Sequence, residues 1–264
     1  MHNEFDSFMN LQLPYEIAAD YSSPTQRVRV MTEYWVNNSI FCPNCGTNLT
    51  HFENNMPVAD FYCLKCREEY ELKSKKGDVA KKLNDGAYSV MLQRLQSANN
   101  PNLFFLSYDG SSFRINNFLA IPKYFFVPGI VEKRKALSST ARRAGWIGCN
   151  IVMSDIPEIG KIYYVQNGKV VEKKEVLNKW NNTEFIKNTS NIETKGWLLD
   201  VLLCVEKIKK IEFSLDEVYN FEAYLKARHP KNNNVKAKIR QQLQRLRDGK
   251  IIDFTGRGKY RLSI

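Results

Sequence analysis

The sequence predicts an α/β protein in two parts: a mixed-sheet domain with an embedded four-cysteine site, then a smaller C-terminal domain of three helices and a hairpin. Three observations predict it. Two Cys-x-x-Cys pairs, Cys42/Cys45 and Cys63/Cys66, stand 17 residues apart. Around Tyr70 apolar and charged residues alternate at period two, whereas stretches before and after it repeat at helical spacing. Past a polar run at 187–196, helical patterns give way to two short strands around a glycine-rich turn.

Each element has its own reason. Ser23 and Pro24 mark a helix start, with proline where its missing N–H costs nothing. Val28, Met31 and Trp35 then follow at helical spacing. Around 58–73 the pattern becomes short strands. Tyr70 and Leu72 alternate with Glu69, Glu71 and Lys73, so Glu71 and Lys73 share a strand face. A helix is expected from Val79 to Gln96, with Val79, Leu83, Ala87, Met91 and Leu95 on one side. "NLFFLSY" reads as a buried strand, "DGSS" as a turn and "FRINNFLAI" as a returning strand. Residues 134–150, "RKALSSTARRAGWIGCN", show no period and read as a loop. Its Arg142, Arg143, glycines and Trp146 favour ligand contact over an ordinary surface loop with one buried tryptophan.

The polar run at 187–196 marks the boundary, giving domains 1–190 and 191–264. "WLLDVLLCVEKI" then reads as an amphipathic helix. "SLDE" is a capping box in which Ser214 caps and Glu217 reaches back, opening a second helix through Val218, Phe221 and Leu225. A third helix begins near Asn234, turns Val235, Ile239, Leu243 and Leu246 inward, and stops at Gly249. Lys236, Lys238, Arg240, Gln241, Gln244, Arg245 and Arg247 are left facing outward. "IIDF", "TGRGK" and "YRLSI" complete a hairpin with Arg257 and Lys259 at its tip. Three helices followed by a basic hairpin is the layout of a winged helix.

Charge gives this ending a direction. The chain has 264 residues, 39 Lys and Arg against 28 Asp and Glu, and a net charge of +11. From Lys231 onward there are ten basic residues and two acids, Asp248 and Asp253. Such a concentration points to a nucleic-acid surface, and the hairpin tip with Arg257 and Lys259 favours DNA over a merely solvated helix. No apolar run reaches the roughly 18 residues that span a bilayer, so no membrane partner is expected. The opening "MHNEFDSFMN" lacks a secretion-signal pattern, and a cytoplasmic location is the expectation.

Without a secretion signal, close cysteine pairs read as metal ligands before disulfides. The spacing Cys42-x2-Cys45-x17-Cys63-x2-Cys66 is that of a zinc ribbon. Four thiolates complete a tetrahedron and leave no position for a reacting water, so this zinc is expected to be structural. His51, between the pairs, and His2 and His229 are read as non-ligating, and Cys149 and Cys204 as small core hydrophobes.

Asp60, Glu71 and Lys73 form the pattern Asp-x10-Glu-x-Lys. Phosphodiester hydrolysis needs hard oxygen ligands for a divalent ion, an activated water and a positive charge at the phosphate. Two acids on successive strands and a lysine two residues beyond the second meet those needs. The cysteines then occupy the extended turn of the same hairpin, so structural and catalytic metals become neighbours with separate roles. Alone the pattern is weak; the strand alternation and the adjacent Lys75 and Lys76 strengthen it.

Close to full length, the sequence resembles the DpnI family of restriction endonucleases. The segments that carry this are "CPNCG", "HFENNMPVADFYC", "EYELKSKKG", "NDGAY", "NNPNLFFL", "ARRAGWIGCN" and "IRQQLQRLRDGKIIDFTGRGKYR". The resemblance implies a PD-(D/E)XK nuclease domain with zinc, then a winged helix that also reads the site. It implies magnesium-dependent, blunt-ended cleavage of GATC when adenine carries an N6-methyl group, by a type II enzyme. By position, Asp60, Glu71 and Lys73 become catalytic, and Asp60, Glu71 and the Leu72 carbonyl hold magnesium. Cys42, Cys45, Cys63 and Cys66 hold zinc. One departure is visible: the proline usually beside the aspartate is here Pro57, three residues before Asp60.

Trp146 is the candidate methyl reader, since an N6-methyl presents an apolar contact in the major groove that suits an aromatic face. Arg142, Arg143, Asn234, Lys236, Arg240, Arg257 and Lys259 are the other expected DNA-reading residues, and Asn84 to Tyr88 are candidates for the DNA channel. Glu33, on the first helix, is read as an exposed acid before a metal or water contact. The expected form is a monomer. Two alternatives stand beside this reading: a zinc-containing winged-helix regulator without nuclease activity, and a PD-(D/E)XK nuclease of different target site.

Overall fold

In the computed structural model, residues 9–52, 59–97, 100–189 and 191–263 are described. His2 and Pro57 lie outside them. In chain order the elements are α1 (Pro24–Ser39), β1 (Thr50–His51), β2 (Phe61–Tyr62), β3 (Glu69–Lys76), β4 (Lys82–Ala87) and α2 (Tyr88–Gln96). Then come β5 (Asn102–Tyr108), β6 (Ile115–Ile121), β7 (Val131–Lys133), β8 (Gly148–Val152), β9 (Ile162–Gln166) and β10 (Lys169–Val170). The chain continues through α3 (Lys173–Asn181), α4 (Glu184–Lys187), α5 (Ile192–Ile208), β11 (Glu212–Ser214), α6 (Leu215–Tyr219), α7 (Glu222–Arg228), α8 (Val235–Asp248), β12 (Ile252–Gly256) and β13 (Lys259–Leu262). The expected mixed α/β architecture is present, with a four-cysteine cluster and a C-terminal helical domain.

The described residues fall into two compact units that interleave along the chain. The first takes those within 1–80, 99–123 and 159–183, and the second those within 81–98, 124–158 and 184–264. Packing thus groups residues 81–98 and 124–158 with the C-terminal helices, whereas the expectation from sequence divides the chain once, at 190.

The first unit is built on a sheet of order β1-β2-β3-β5-β6-β9-β10. Its ladders are antiparallel except for β3 and β5, which run parallel from Tyr70 opposite Asn102 to Lys76 opposite Tyr108. All of β5 is buried, as a run of apolar residues in a central strand requires. Buried Asn102 pins the register: its amide donates to the Glu69 carbonyl and the Glu68 carboxylate and accepts the Lys123 N–H. α1 begins at Pro24 as expected, and its Met31, Trp35 and Val36 enter the same core as Tyr70, Phe104 and Phe118. Each such side chain contributes about 1.5–3 kcal/mol on burial. The "DGSS" turn is held by Asp109, whose Oδ1 accepts from the backbone and hydroxyl of both Ser111 and Ser112.

The second unit contains the sheets β4-β8-β7 and β11-β13-β12. The helix expected over 79–96 is corrected here: only its second half, α2, is helical, and residues 82–87 form β4. Leu83, Met91 and Leu95 are buried as expected, but Leu83 is buried from a strand. Pairing with β8, with a bulge between Asp85 and Ala87, overrides the apolar spacing. The segment 134–147 is the loop joining β7 to β8, and 148–150 belong to β8 itself.

Four corrections concern the C-terminal helices. α5 starts at Ile192, inside the polar run, where the Asn191 side chain accepts the Thr194 N–H. It is not amphipathic over its middle, because every residue from Gly196 to Val205 is buried. The second helix divides into α6 and α7 at Asn220, although the capping box at Ser214 and Glu217 forms as read. α8 buries Val235, Ile239, Leu243 and Leu246 and ends at Gly249 as expected, but not through a left-handed glycine. Gly249 has φ −79°, and the left-handed residue is Lys250, φ 60°. Glycine is needed because a Cβ there would stand 2.5 Å from the Phe185 ring. β12 and β13 form the wing, and β11, unforeseen, adds a third strand to it.

Candidate active site and metal centre

The cysteine pairs lie on two turns with one hydrogen-bond pattern. Cys42 N–H donates to Thr47 O and Gly46 N–H to Cys42 O; Cys63 N–H donates to Glu68 O and Arg67 N–H to Cys63 O. Both turns close through a left-handed residue, Gly46 at φ 75° and Arg67 at φ 62°. These turns aim the four sulfurs inward, all within 4.8 Å of one another. Cys42 to Cys66 and Cys45 to Cys63 are each 3.4 Å. Thiolates on a tetrahedral metal at the usual bond length stand roughly 3.8 Å apart, so the set fits one ion with small adjustment. It is the one group of three or more Cys, His, Asp or Glu ligands among the described residues.

Hydroxyls surround the sulfurs. Thr47 Oγ1 is 3.0 Å from Cys45 Sγ and 3.1 Å from Cys63 Sγ, and Tyr70 Oη is 3.1 Å from Cys42 Sγ. In the metal-free chain burial pushes the Cys42 and Cys66 thiols up. Burial pushes Cys63 up as well, but hydrogen bonds led by the Thr47 hydroxyl outweigh it and hold that thiol at about 6. Raised thiols keep their protons at neutral pH and must release them to a metal. Metal affinity is therefore expected to rise with pH through neutrality, as a chelator competition at pH 6 and pH 8 would measure; equal affinities would contradict it.

Asp60 is set by the end of a ladder. β2 pairs with only the first two residues of β3, as Phe61 with Tyr70 and Tyr62 with Glu69. Asp60 donates its N–H to Tyr70 O at 2.9 Å, and its carboxylate then accepts the Leu72 N–H at 2.7 Å. The aspartate therefore lies alongside the backbone between Glu71 and Lys73. Those two share a strand face as expected, with Lys73 Nζ 2.8 Å from Glu71 Oε1, and both are largely shielded from solvent.

Asp60 and Leu72 line a cleft of about 550 Å³ together with Val28, Arg29, Glu33 and Lys76; Glu71 and Lys73 are not in its lining. Glu33 corrects an expectation. Its side chain is only 15% exposed, with Oε1 2.5 Å from Arg29 Nε and Oε2 3.5 Å from His51 Nε2. Helical position alone did not reveal this, since one of its two partners, His51, comes from β1.

The proposed DNA-reading residues lie in the second unit. Trp146 is half-buried: its ring passes over Gly148, where a Cβ would stand 2.7 Å from it, and the Arg143 guanidinium lies 4.7 Å from its centroid. Arg142 is exposed. Asn234 precedes α8, Lys236 lies over the Tyr219 ring, and Arg240 donates to the Tyr219 hydroxyl at 2.6 Å. Arg257 and Lys259 are exposed on the wing. His229 Nε2 is 2.8 Å from Asp200, and its ring stacks on Trp197. Asn84 to Tyr88 span the end of β4 and the start of α2. Sequence reasoning missed Tyr70 and Thr47 as partners of the sulfurs; a buried tyrosine beside a cysteine-rich segment was the one available signal.

No helix among the described residues is long and apolar enough to cross a membrane. Residues 9–189 match the family model described as DpnI, Dam-replacing family, and residues 193–262 match the one described as DpnI_C, Dam-replacing HTH domain.

Proposed function

Because the chain belongs to the Dam-replacing DpnI family, a family of restriction nucleases with a DNA-binding helix-turn-helix domain, we propose that it is a methyl-directed type II restriction endonuclease. It cleaves double-stranded 5'-GATC-3' when the adenine is N6-methylated, with magnesium, and leaves blunt ends. The observation that carries this reading is the Asp60 carboxylate hydrogen-bonded to the Leu72 N–H, between Glu71 and Lys73. That bond brings Asp60 to the segment of β3 that carries Glu71 and Lys73.

Asp60, Glu71 and the Leu72 carbonyl would hold the catalytic cation, a hard oxygen set suited to magnesium. Such a cation supplies Lewis acidity at phosphate and lowers the pKa of water. Lys73 holds Glu71 in place and brings a positive charge to the scissile phosphate as its oxygens gain charge. The four cysteines suit zinc, because soft thiolates in a closed tetrahedral set select it. Family models that end at 189 and begin at 193 support a functional division into 1–190 and 191–264.

In this reading α8 meets the major groove with Asn234, Lys236 and Arg240, while Arg257 and Lys259 meet phosphate. The loop with Arg142, Arg143 and Trp146 reads the methyl group. The enzyme acts as a monomer in the cytoplasm. Plasmid from adenine-methylating and non-methylating hosts tests the whole. Fragments at GATC spacing are expected from the methylated plasmid alone. Equal cutting of both would remove the methyl requirement, and no cutting of either with magnesium present would favour a DNA-binding regulator.

A further inference from the structure

We propose that Tyr70 is the positioning residue through which metal bound by the four cysteines holds β3 in register for catalysis. The link to catalysis rests on the nuclease reading; the mechanical link between metal and strand is a property of the fold. Tyr70 is fully buried, and a buried phenol must find a hydrogen-bond partner. Its hydroxyl meets Cys42 Sγ at 3.1 Å. The ring cannot easily turn away, because it stacks on Phe104 at 4.4 Å between centroids and 6° between planes.

The backbone of the same residue serves the other site. Tyr70 O accepts the Asp60 N–H at 2.9 Å, and the Cα lies opposite Phe61 of β2 and Asn102 of β5. Glu71 follows directly. One residue therefore touches a metal ligand with its side chain and both acids through its backbone. A metal-bound Cys42 is a thiolate, and a hydrogen bond to an ionised acceptor is roughly twice as strong as a neutral one. Metal loss frees the Cys42 side chain and with it the fixed partner of the Tyr70 hydroxyl. Thr47 offers an internal comparison: its hydroxyl meets Cys45 and Cys63 from the first cysteine turn, outside β3.

The test uses the full zinc-loaded chain. Tyr70→Phe keeps the ring and removes only the hydroxyl. It is expected to speed zinc transfer to a chelator about 10–100-fold, the usual effect of losing a partner behind a metal ligand. It is also expected to raise amide hydrogen exchange across residues 69–76. Thr47→Val is expected to speed zinc transfer but leave exchange at 69–76 unchanged. Wild-type exchange at 69–76 in Tyr70→Phe would overturn the link, whether or not zinc left faster. Should Tyr70→Phe not fold, the wild-type chain decides: exchange at 69–76 must rise when zinc is stripped, and constant exchange overturns the proposal. Neither readout needs cleavage, so failure of the nuclease reading would show separately.

Discussion

Asp60→Ala is expected to abolish cleavage of methylated DNA while leaving DNA binding intact. Loss of a cation ligand removes several kcal/mol of transition-state stabilisation; about 4 kcal/mol corresponds to roughly a 10³-fold fall in rate. The substitution also strips the Leu72 N–H of its acceptor, so a fall in stability of about 1–3 kcal/mol could be mistaken for a loss of chemistry. Asp60→Asn separates the two effects, since an amide oxygen can still accept that bond but carries no charge. Both variants should be inactive, with Asn closer to wild-type thermal stability. Single-turnover rates at saturating magnesium and a melting curve decide the matter; wild-type rates in either variant would remove Asp60 from the mechanism. Lys73→Ala should lower the rate about 10²–10³-fold, as loss of one charge-stabilising donor does. Its magnesium dependence should change less than that of Asp60→Asn, because Lys73 is not a ligand.

Cys63→Ser is expected to act on folding before it acts on chemistry. Cys63 is fully buried, 3.4 Å from Cys45 and 3.1 Å from the Thr47 hydroxyl. Structural zinc binds small zinc peptides with about 10–16 kcal/mol of apparent free energy, much of it expressed as folding. A domain with an aromatic core depends on the ion less completely, yet typical domains are only about 5–15 kcal/mol stable. The variant should therefore be insoluble or melt far below the wild type, and elemental analysis should find about one zinc in the wild type and none in the variant. A zinc-free wild-type chain with full stability would show that the cysteines are merely packed.

Residues close in sequence carried much of the fold. The helix at Pro24, the strand with Glu71 and Lys73, buried β5, the capping box at Ser214 and the wing all follow from local rules of period, capping and turn chemistry. The first half of the helix expected over 79–96 did not form because β8, more than 60 residues later, captures Lys82–Ala87 as a strand. The same limit hid Glu33, whose second carboxylate oxygen faces His51 of β1, 18 residues away.

By itself the sequence determined which side chains the molecule has to work with. These are four cysteines at metal-binding spacing, two acids and a lysine at strand spacing, and a basic helix and wing. Tertiary structure alone decided how they meet. It put the Asp60 carboxylate on the Leu72 N–H, the Tyr70 hydroxyl on Cys42, and the Phe185 ring over Gly249. Residue spacing reports only on neighbours within a turn or a strand, whereas these contacts join residues 12, 28 and 64 positions apart. Their geometry is set by the packing of whole elements.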